Sequence, residues 1–457
     1  MTVKVRVVWA RLLDSLWFVP SMVGLAGALL AVGMVELSAR VDPHVLSRFP
    51  RMFGASADSS RSLLSAIGAS VITVAGVTFS LTMVAVTQAS GQYTSRILRT
   101  FMRDRPTQVV LGMFVGIFSY CLLVLRTIRS VDESSFVPSL AVVLGIALAL
   151  VGMGALIFFV HHIATTLQVS HLLERVGSET VAAVDRLFPD DVAQEATVEE
   201  RDAARERLRD AVWRPVAATR TGYLQAVDSD RLVKTAGSHA VVIRLEIGVG
   251  EFVIDGMPIA WAAPNGGDAR AQENRDPPVP PSRGDYDRVI AGCFTVGTFR
   301  TIEEDAAFGV RQIVDIALKA LSPGVNDTTT AVMCVDWLGA VLVRLANREV
   351  ETPFRTEGGV LRVIARGPTF ESMLALSVDE IRQNAAGNVS IVVALFEMIG
   401  RVARATSDPD RRRLLAKHAE LVAEGAERGV ESAHDRQRLR HLASSALRTP
   451  LAPPMRR

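Results

Sequence analysis

Apolar positions crowd the first third of the chain and then give way to shorter, mixed stretches with helical or strand-like spacing. Four apolar runs stand out, at about residues 16–38, 63–90, 107–127 and 137–162. A helix of about 20 apolar residues crosses the hydrocarbon of a bilayer, and each run approaches or exceeds that length. The first run opens on Trp17, Phe18 and Pro20, behind Lys4, Arg6 and Arg11. It is too long for the apolar core of a cleaved signal peptide, and three more runs follow, so an uncleaved membrane anchor is expected.

The second run, Leu63 to Val86, has no charge and is dotted with small polar residues. At about 100° per residue, Ala69, Thr73, Gly76, Ser80 and Thr87 fall on one face of a helix. Two uses of that face stand open. Small residues let helix backbones approach and pack. Hydroxyls and bare backbone can also line a water-filled path, with Phe79 as a hydrophobic constriction. Beyond the run lie Gln88, Gln92, Tyr93, Arg96, Arg99 and Arg103. The Gln88, Gln92, Arg96, Arg99 and Arg103 stripe is turned roughly 140° from the small-residue face. It reads as a cytoplasmic mouth or as an anchor to anionic lipid headgroups.

Lys and Arg near the run ends set the expected orientation. Lys4, Arg6 and Arg11 precede the first run, and Arg96, Arg99, Arg103 and Arg105 follow the second. Arg40, Arg48, Arg51 and Arg61 in the loop between them blur the tally. A long polar tail and four spans together place both termini in the cytoplasm, in a multi-pass protein of the cell (inner) membrane. No Asp, Glu, Lys or Arg lies near the middle of a run, which argues against a proton-coupled pump. His161 and His162 end the fourth run and are weak metal-ligand or pH-sensor candidates; interfacial histidines that bind nothing are commoner.

Downstream, Val169 to Phe188 has helical spacing, and Glu199 to Val212 alternates in charge like a solvated helix. Residues from Gly222 to Ala263 read as short strands, with a hairpin over 251–261 turning at Asp255-Gly256. That hairpin is similar to those of lipoyl-type barrel-sandwich domains, so a small β-barrel-like segment is expected. No lysine lies between Thr235 and Pro264 to carry a cofactor. Asn265 to Asp285 reads as a Gly- and Pro-rich loop, and Val289 to Arg300 as a further strand. Helices are expected at Phe308–Leu321, about Thr329–Leu345, Phe370–Arg382, Val389–Val402 and Asp408–Glu424, followed by a basic, Pro-rich end that is disordered or lipid-facing.

Composition narrows the rest. The 457 residues carry a formal charge of +2, too small to suggest nucleic acid. Cys121, Cys293 and Cys334 have no metal or redox spacing, which suits a reducing cytoplasm. The sharpest polar motif is Ala320-Leu-Ser322-Pro-Gly-Val-Asn326-Asp327. There one helix ends and another begins. Asn326 or Asp327 can cap the second helix; Asp315, Ser322, Asn326 and Asp327 can instead hold an ion or ligand. No nucleophile elbow, zinc-protease pair or phosphate-binding loop is present, and no cofactor is indicated.

Several of these stretches recur together. Leu16-Trp-Phe-Val-Pro-Ser21, Ser70-Val-Ile-Thr-Val-Ala-Gly-Val-Thr-Phe-Ser80, Gln92-Tyr-Thr-Ser-Arg96, Arg103-Asp-Arg-Pro-Thr-Gln108, the His161-His162 pair and the 320–327 motif resemble those of bacterial predicted integral membrane proteins grouped as a domain of unknown function. The resemblance covers residues 10 to about 405. It implies an architecture and no established activity.

The expected fold is a mainly α membrane protein. An N-terminal four-helix transmembrane domain (1–165) leads into cytoplasmic linker helices with a small β domain (166–300), a helical domain (301–445) and a disordered basic tail (446–457). The expected function is an oligomeric channel or pore with a cytoplasmic regulatory region. The alternative is a membrane-anchored sensor or scaffold that binds a cytoplasmic ligand or partner without conduction. Membrane lipids, further copies of the chain, and a small ion or ligand are the expected partners.

Overall fold

The computed structural model describes residues 17–41, 56–92, 104–128, 136–166, 168–188, 208, 211–264, 283–348, 350, 354–357, 360–385 and 387–446. The chain divides into two compact units, Met1–His171 and Leu172–Arg457.

Among the described residues, unit 1 holds four helices: α1 (Phe18–Arg40), α2 (Ala57–Gln92), α3 (Arg105–Thr127) and α4 (Ser139–Thr166). Glycines set how closely they approach. A Cβ on Gly27 would stand 2.4 Å from the Gly116 carbonyl oxygen, and one on Gly112 2.9 Å from the Pro20 Cα. α1 and α3 therefore touch backbone to backbone and run in the same direction. α2 runs against α3, since Gly68 lies beside Cys121 while Arg61 reaches the Ile128 carbonyl at 2.8 Å. α4 also runs against α3: Tyr120 Oη donates to the Ala141 carbonyl at 2.7 Å, and Gly152 faces Ile117. The directions alternate along the chain. Phe114, Ile117, Tyr120, Val124, Leu64 and Phe159 fill the centre.

Unit 2 starts at Leu172, within α5 (Val169–Leu187), whose Leu172, Leu173, Val176 and Val184 are buried as their spacing predicts. The β region differs from the sequence reading in three ways. First, it forms no closed barrel among the described residues. β1 (Arg214–Ala217), β5 (Pro258–Pro264), β3 (Val241–Leu245), β8 (Val360–Ile364) and β7 (Phe354–Glu357) make an open sheet in that spatial order, parallel only between β3 and β8. β4 (Phe252–Val253), β2 (Gly222–Val227) and β6 (Phe294–Gly297) make a second, antiparallel one. Second, the Asp255-Gly256 turn forms, with Gly256 at φ +81°, but its two arms enter different sheets. The Ala218 carbonyl takes the Gly256 N–H, and Met257 bonds back to Ala218, so β1 captures the turn. Third, α6 (Ser229–Ser238) and α7 (Arg283–Ala291) stand where strands or loop were expected. Asp228 caps α6 through the Arg231 N–H. Leu224, Leu232, Ile243, Ile259, Ile290 and Val363 bring both sheets and both helices into one core. Because β8 pairs with β3, the larger sheet draws strands from both sides of residue 300.

The remainder is helical: α8 (Ala306–Leu321), α9 (Thr328–Leu345), α10 (Phe370–Asn384), α11 (Val389–Ala405), α12 (Pro409–Gly429) and α13 (Ala433–Ala446). α5 packs on α8 and α9. A Cβ on Gly309 would strike the Thr180 side chain at 2.0 Å, and one on Gly177 the Trp337 ring at 2.3 Å. Among the described residues, five helices are long and apolar enough to cross a membrane: α1 to α4 and α9. The mean hydropathy of α9 is 1.4, against 2.0 to 2.7 for the other four. It also carries Asp336, which pairs with Arg401 at 2.7 Å. The expected helix at 199–212 and the expected tail at 446–457 lie almost wholly outside the described residues, as does the expected loop at 265–285 up to residue 282, after which 283–285 belong to α7.

Candidate functional site

α2 carries two seams. Leu64, Gly68, Val71, Ala75, Thr78 and Ala85 are buried, spaced alternately four and three apart except where half-buried Thr82 fills the series. That is the spacing of a helix packed along a partner helix. The Thr78 hydroxyl lies within this seam and makes no hydrogen bond among the described residues. Ala69, Thr73, Gly76, Ser80 and Thr87 stand five positions after Leu64, Gly68, Val71, Ala75 and Thr82, about 140° round the helix. All five are exposed, and a Cβ on Gly76 would meet nothing within 4 Å. The Thr73 and Thr87 hydroxyls each donate to the carbonyl four residues back, at 2.8 Å. Phe79 is 51% exposed at the edge of this second seam. Among the described residues, no helix of the same unit covers it.

Of the basic stripe, Gln92 is the last residue of α2, while Tyr93, Arg96, Arg99 and Arg103 lie outside the described residues. The adjoining end of unit 1 is held by a polar pair that sequence reasoning left unconnected. Asp104 caps α3: its Oδ2 accepts from the Thr107 N–H and hydroxyl. The same oxygen lies 2.8 Å from His162 Nε2, at the end of α4. Phe158 stacks on the His162 ring with centroids 5.7 Å apart. His161 is exposed. No group of three metal-ligating side chains occurs among the described residues.

The 320–327 motif makes the corner between α8 and α9. Asn326 adopts φ +48°, a left-handed conformation that Asn tolerates better than most residues. Asp327 caps α9 by accepting from the Thr330 N–H at 3.0 Å and from its hydroxyl. These Thr330 bonds hold the Asp327 carboxyl below the usual carboxylate range. Asn388, the cap of α11, donates to Thr328 Oγ1 at 2.8 Å, so two helix N-termini meet here. Ser322 Oγ donates to the Lys319 carbonyl. Asp315 is not gathered in: it accepts from Arg311 at 2.7 Å, and Arg311 also pairs with Glu380. Hydrogen bonding to that guanidinium holds Glu380 low in turn. Cys121, Cys293 and Cys334 are all buried and free.

Two signals in the sequence went unread. Gly112-x-x-x-Gly116 is the small-residue spacing that lets α3 meet α1. Asp104, one residue before Arg105-Pro106, has the pattern of a helix cap.

Residues 13–401 match the model of a family described as predicted membrane protein (DUF2254). An uncharacterized protein of Mycobacterium tuberculosis (strain ATCC 25618 / H37Rv) is 32% identical over 428 residues, covering 92% of this chain and 78% of that relative. An uncharacterized protein of Mycobacterium bovis is similar to the same extent. No solved structure matches the chain.

Proposed function

The chain belongs to the DUF2254 family of predicted membrane proteins, and on that footing we propose that it forms an oligomeric pore in the inner membrane. α1 to α4 span the bilayer, both termini are cytoplasmic, and unit 2 regulates from the cytoplasmic side. The alternating helix directions support this arrangement. They put Phe18, Gln92, Arg105 and Thr166 at one end of unit 1, and the sequence next to those helix ends carries Lys4, Arg6, Arg11, Arg96, Arg99 and Arg103.

The observation that carries the pore reading is the second seam of α2. A surface facing only lipid has no need of helix-packing spacing or of small residues. A seam that repeats the inward one, yet is covered by none of the described residues of its own unit, suits contact with further copies around an axis. Closed cyclic symmetry would bring Thr73, Gly76, Ser80 and Thr87 of each copy to a shared lumen. There, hydroxyls and bare backbone replace part of an ion's hydration shell, and Phe79 narrows the path.

Cysteine accessibility tests it. In a background lacking Cys121, Cys293 and Cys334, cysteines at Thr73, Ser80 and Thr87 react with a water-soluble thiol reagent, while those at Val71, Ala75 and Thr78 do not. Liposomes bearing the purified protein show ion flux. Equal protection at all six positions, with no flux, removes the pore.

A further inference from the structure

At the end of unit 1 away from Asp104 and His162, the last turns of α1 and α3 run side by side. A cleft of about 530 Å³ opens between them. Its walls are Ala31, Val32, Val35 and Leu123; Glu36 and Arg126 also line it. Both helices end within two turns of this level, at Arg40 and Thr127. On the proposed reading that α1 and α3 span the bilayer, the cleft sits where hydrocarbon gives way to headgroups.

The two charges are not accounted for by packing. Arg126 has no ion-pair partner among the described residues. Glu36 approaches Arg40 only to 3.7 Å, with both side chains more than 60% exposed. Such a pair contributes little and opens readily. An apolar trough with one carboxylate and one guanidinium at its mouth has the charge pattern of a zwitterionic amphiphile.

We propose that this cleft holds one phospholipid whose headgroup carries a primary ammonium. The phosphate lies on Arg126, whose planar donor fork matches phosphate oxygens. The ammonium lies on Glu36, and one acyl chain runs along Ala31, Val32, Val35 and Leu123. A headgroup with a primary ammonium donates three hydrogen bonds to a carboxylate, and a trimethylated one donates none. A purely anionic headgroup would satisfy Arg126 and be repelled by Glu36. The volume falls within the range of about 300–1,000 Å³ usual for ligand pockets.

The test uses the full chain in phosphatidylcholine nanodiscs doped with photoactivatable phosphatidylethanolamine. Adducts should concentrate on peptides covering 31–40 and 120–128. Unlabelled phosphatidylethanolamine should compete, and added phosphatidylcholine should not. Arg126→Gln and Glu36→Gln should each cut labelling roughly tenfold, the scale of one charge-assisted contact. Both variants should melt with the parent. Should either variant fail to fold, competition on the parent protein decides alone. Adducts spread evenly over the four helices, equal competition by both lipids, or labelling untouched in both variants would overturn the proposal. So would a Val35→Cys protein that cross-links to residues 42–55 or 129–135 and takes no lipid label.

Discussion

Asp104 Oδ2 lies 2.8 Å from His162 Nε2 and fastens the first turn of α3 to the last turns of α4. The carboxylate serves two purposes at once, since it also caps α3 through Thr107. Asp104→Ala should therefore cost more than His162→Ala, by the cap's share of about 0.5–2 kcal/mol. The double variant should fall short of the sum by about 0.5–3 kcal/mol, as expected of residues in direct contact. Unfolding of the detergent-solubilised protein, measured on all four forms, checks this. Strict additivity would mean the two groups do not interact.

The α1–α3 contact has no room for a side chain. Gly27→Val would force a methyl-bearing carbon into the Gly116 carbonyl, with overpacking costing about 1–3 kcal/mol or more. Gly76→Ala meets nothing among the described residues and should be neutral, or stabilise α2 by about 0.5–1 kcal/mol. Thermal melting separates these two. The same Gly76→Ala protein should lose higher-order species on native mass spectrometry if copies meet on the outer seam.

The Trp337 ring occupies the space a Cβ on Gly177 of α5 would need, 2.3 Å from it. Gly177→Ala should destabilise unit 2 by about 1–3 kcal/mol through overpacking. Trimming the ring in a Gly177→Ala, Trp337→Leu protein should recover part of that loss. Denaturant midpoints of the parent, of Gly177→Ala and Trp337→Leu alone, and of the double variant test it, and no recovery would point away from the ring as the obstacle.

Asp327 gives α9 a charge-dependent cap. Its carboxyl is held below the ordinary value of 3.8 by Thr330, so the folded chain binds a proton less readily than the unfolded one. The stabilisation is present above about pH 4, and falls away as pH drops below that toward the depressed value. Asp327→Asn keeps a capping oxygen but should flatten this part of the acid limb. Asp327→Ala should cost about 0.5–2 kcal/mol at neutral pH. Unfolding profiles from pH 6 down to about pH 2 distinguish the three proteins.

How much of this could be read in advance follows the range of each signal. The helices were legible because their causes are local. Apolar runs mark α1 to α4, Asp408-Pro409 starts α12, and Asp327 starts α9. The shared face of Thr73, Gly76, Ser80 and Thr87 follows from helical geometry alone, but its exposure depends on which side α3 and α4 cover. Strand partnership is likewise not local. Nothing in 251–261 shows that β1 would take the turn from its own hairpin. β7 and β8 escaped notice because Arg355, Glu357 and Arg362 break the alternation that marks a strand. Asp104 and His162 are 58 residues apart, so only folding puts one against the other.

Arg61 reaches the Ile128 carbonyl at the end of α3, and 67 residues of chain separate the two. A ribosome adding about 5–20 residues each second makes Ile128 roughly 3–13 s after Arg61. During synthesis the second helix is thus delivered to the bilayer well before its acceptor exists. The clasp can close only when the third helix arrives, which makes biogenesis of this domain a matter of order in time. A chain halted between the two helices carries half a fastening, and is the form that membrane quality control would meet.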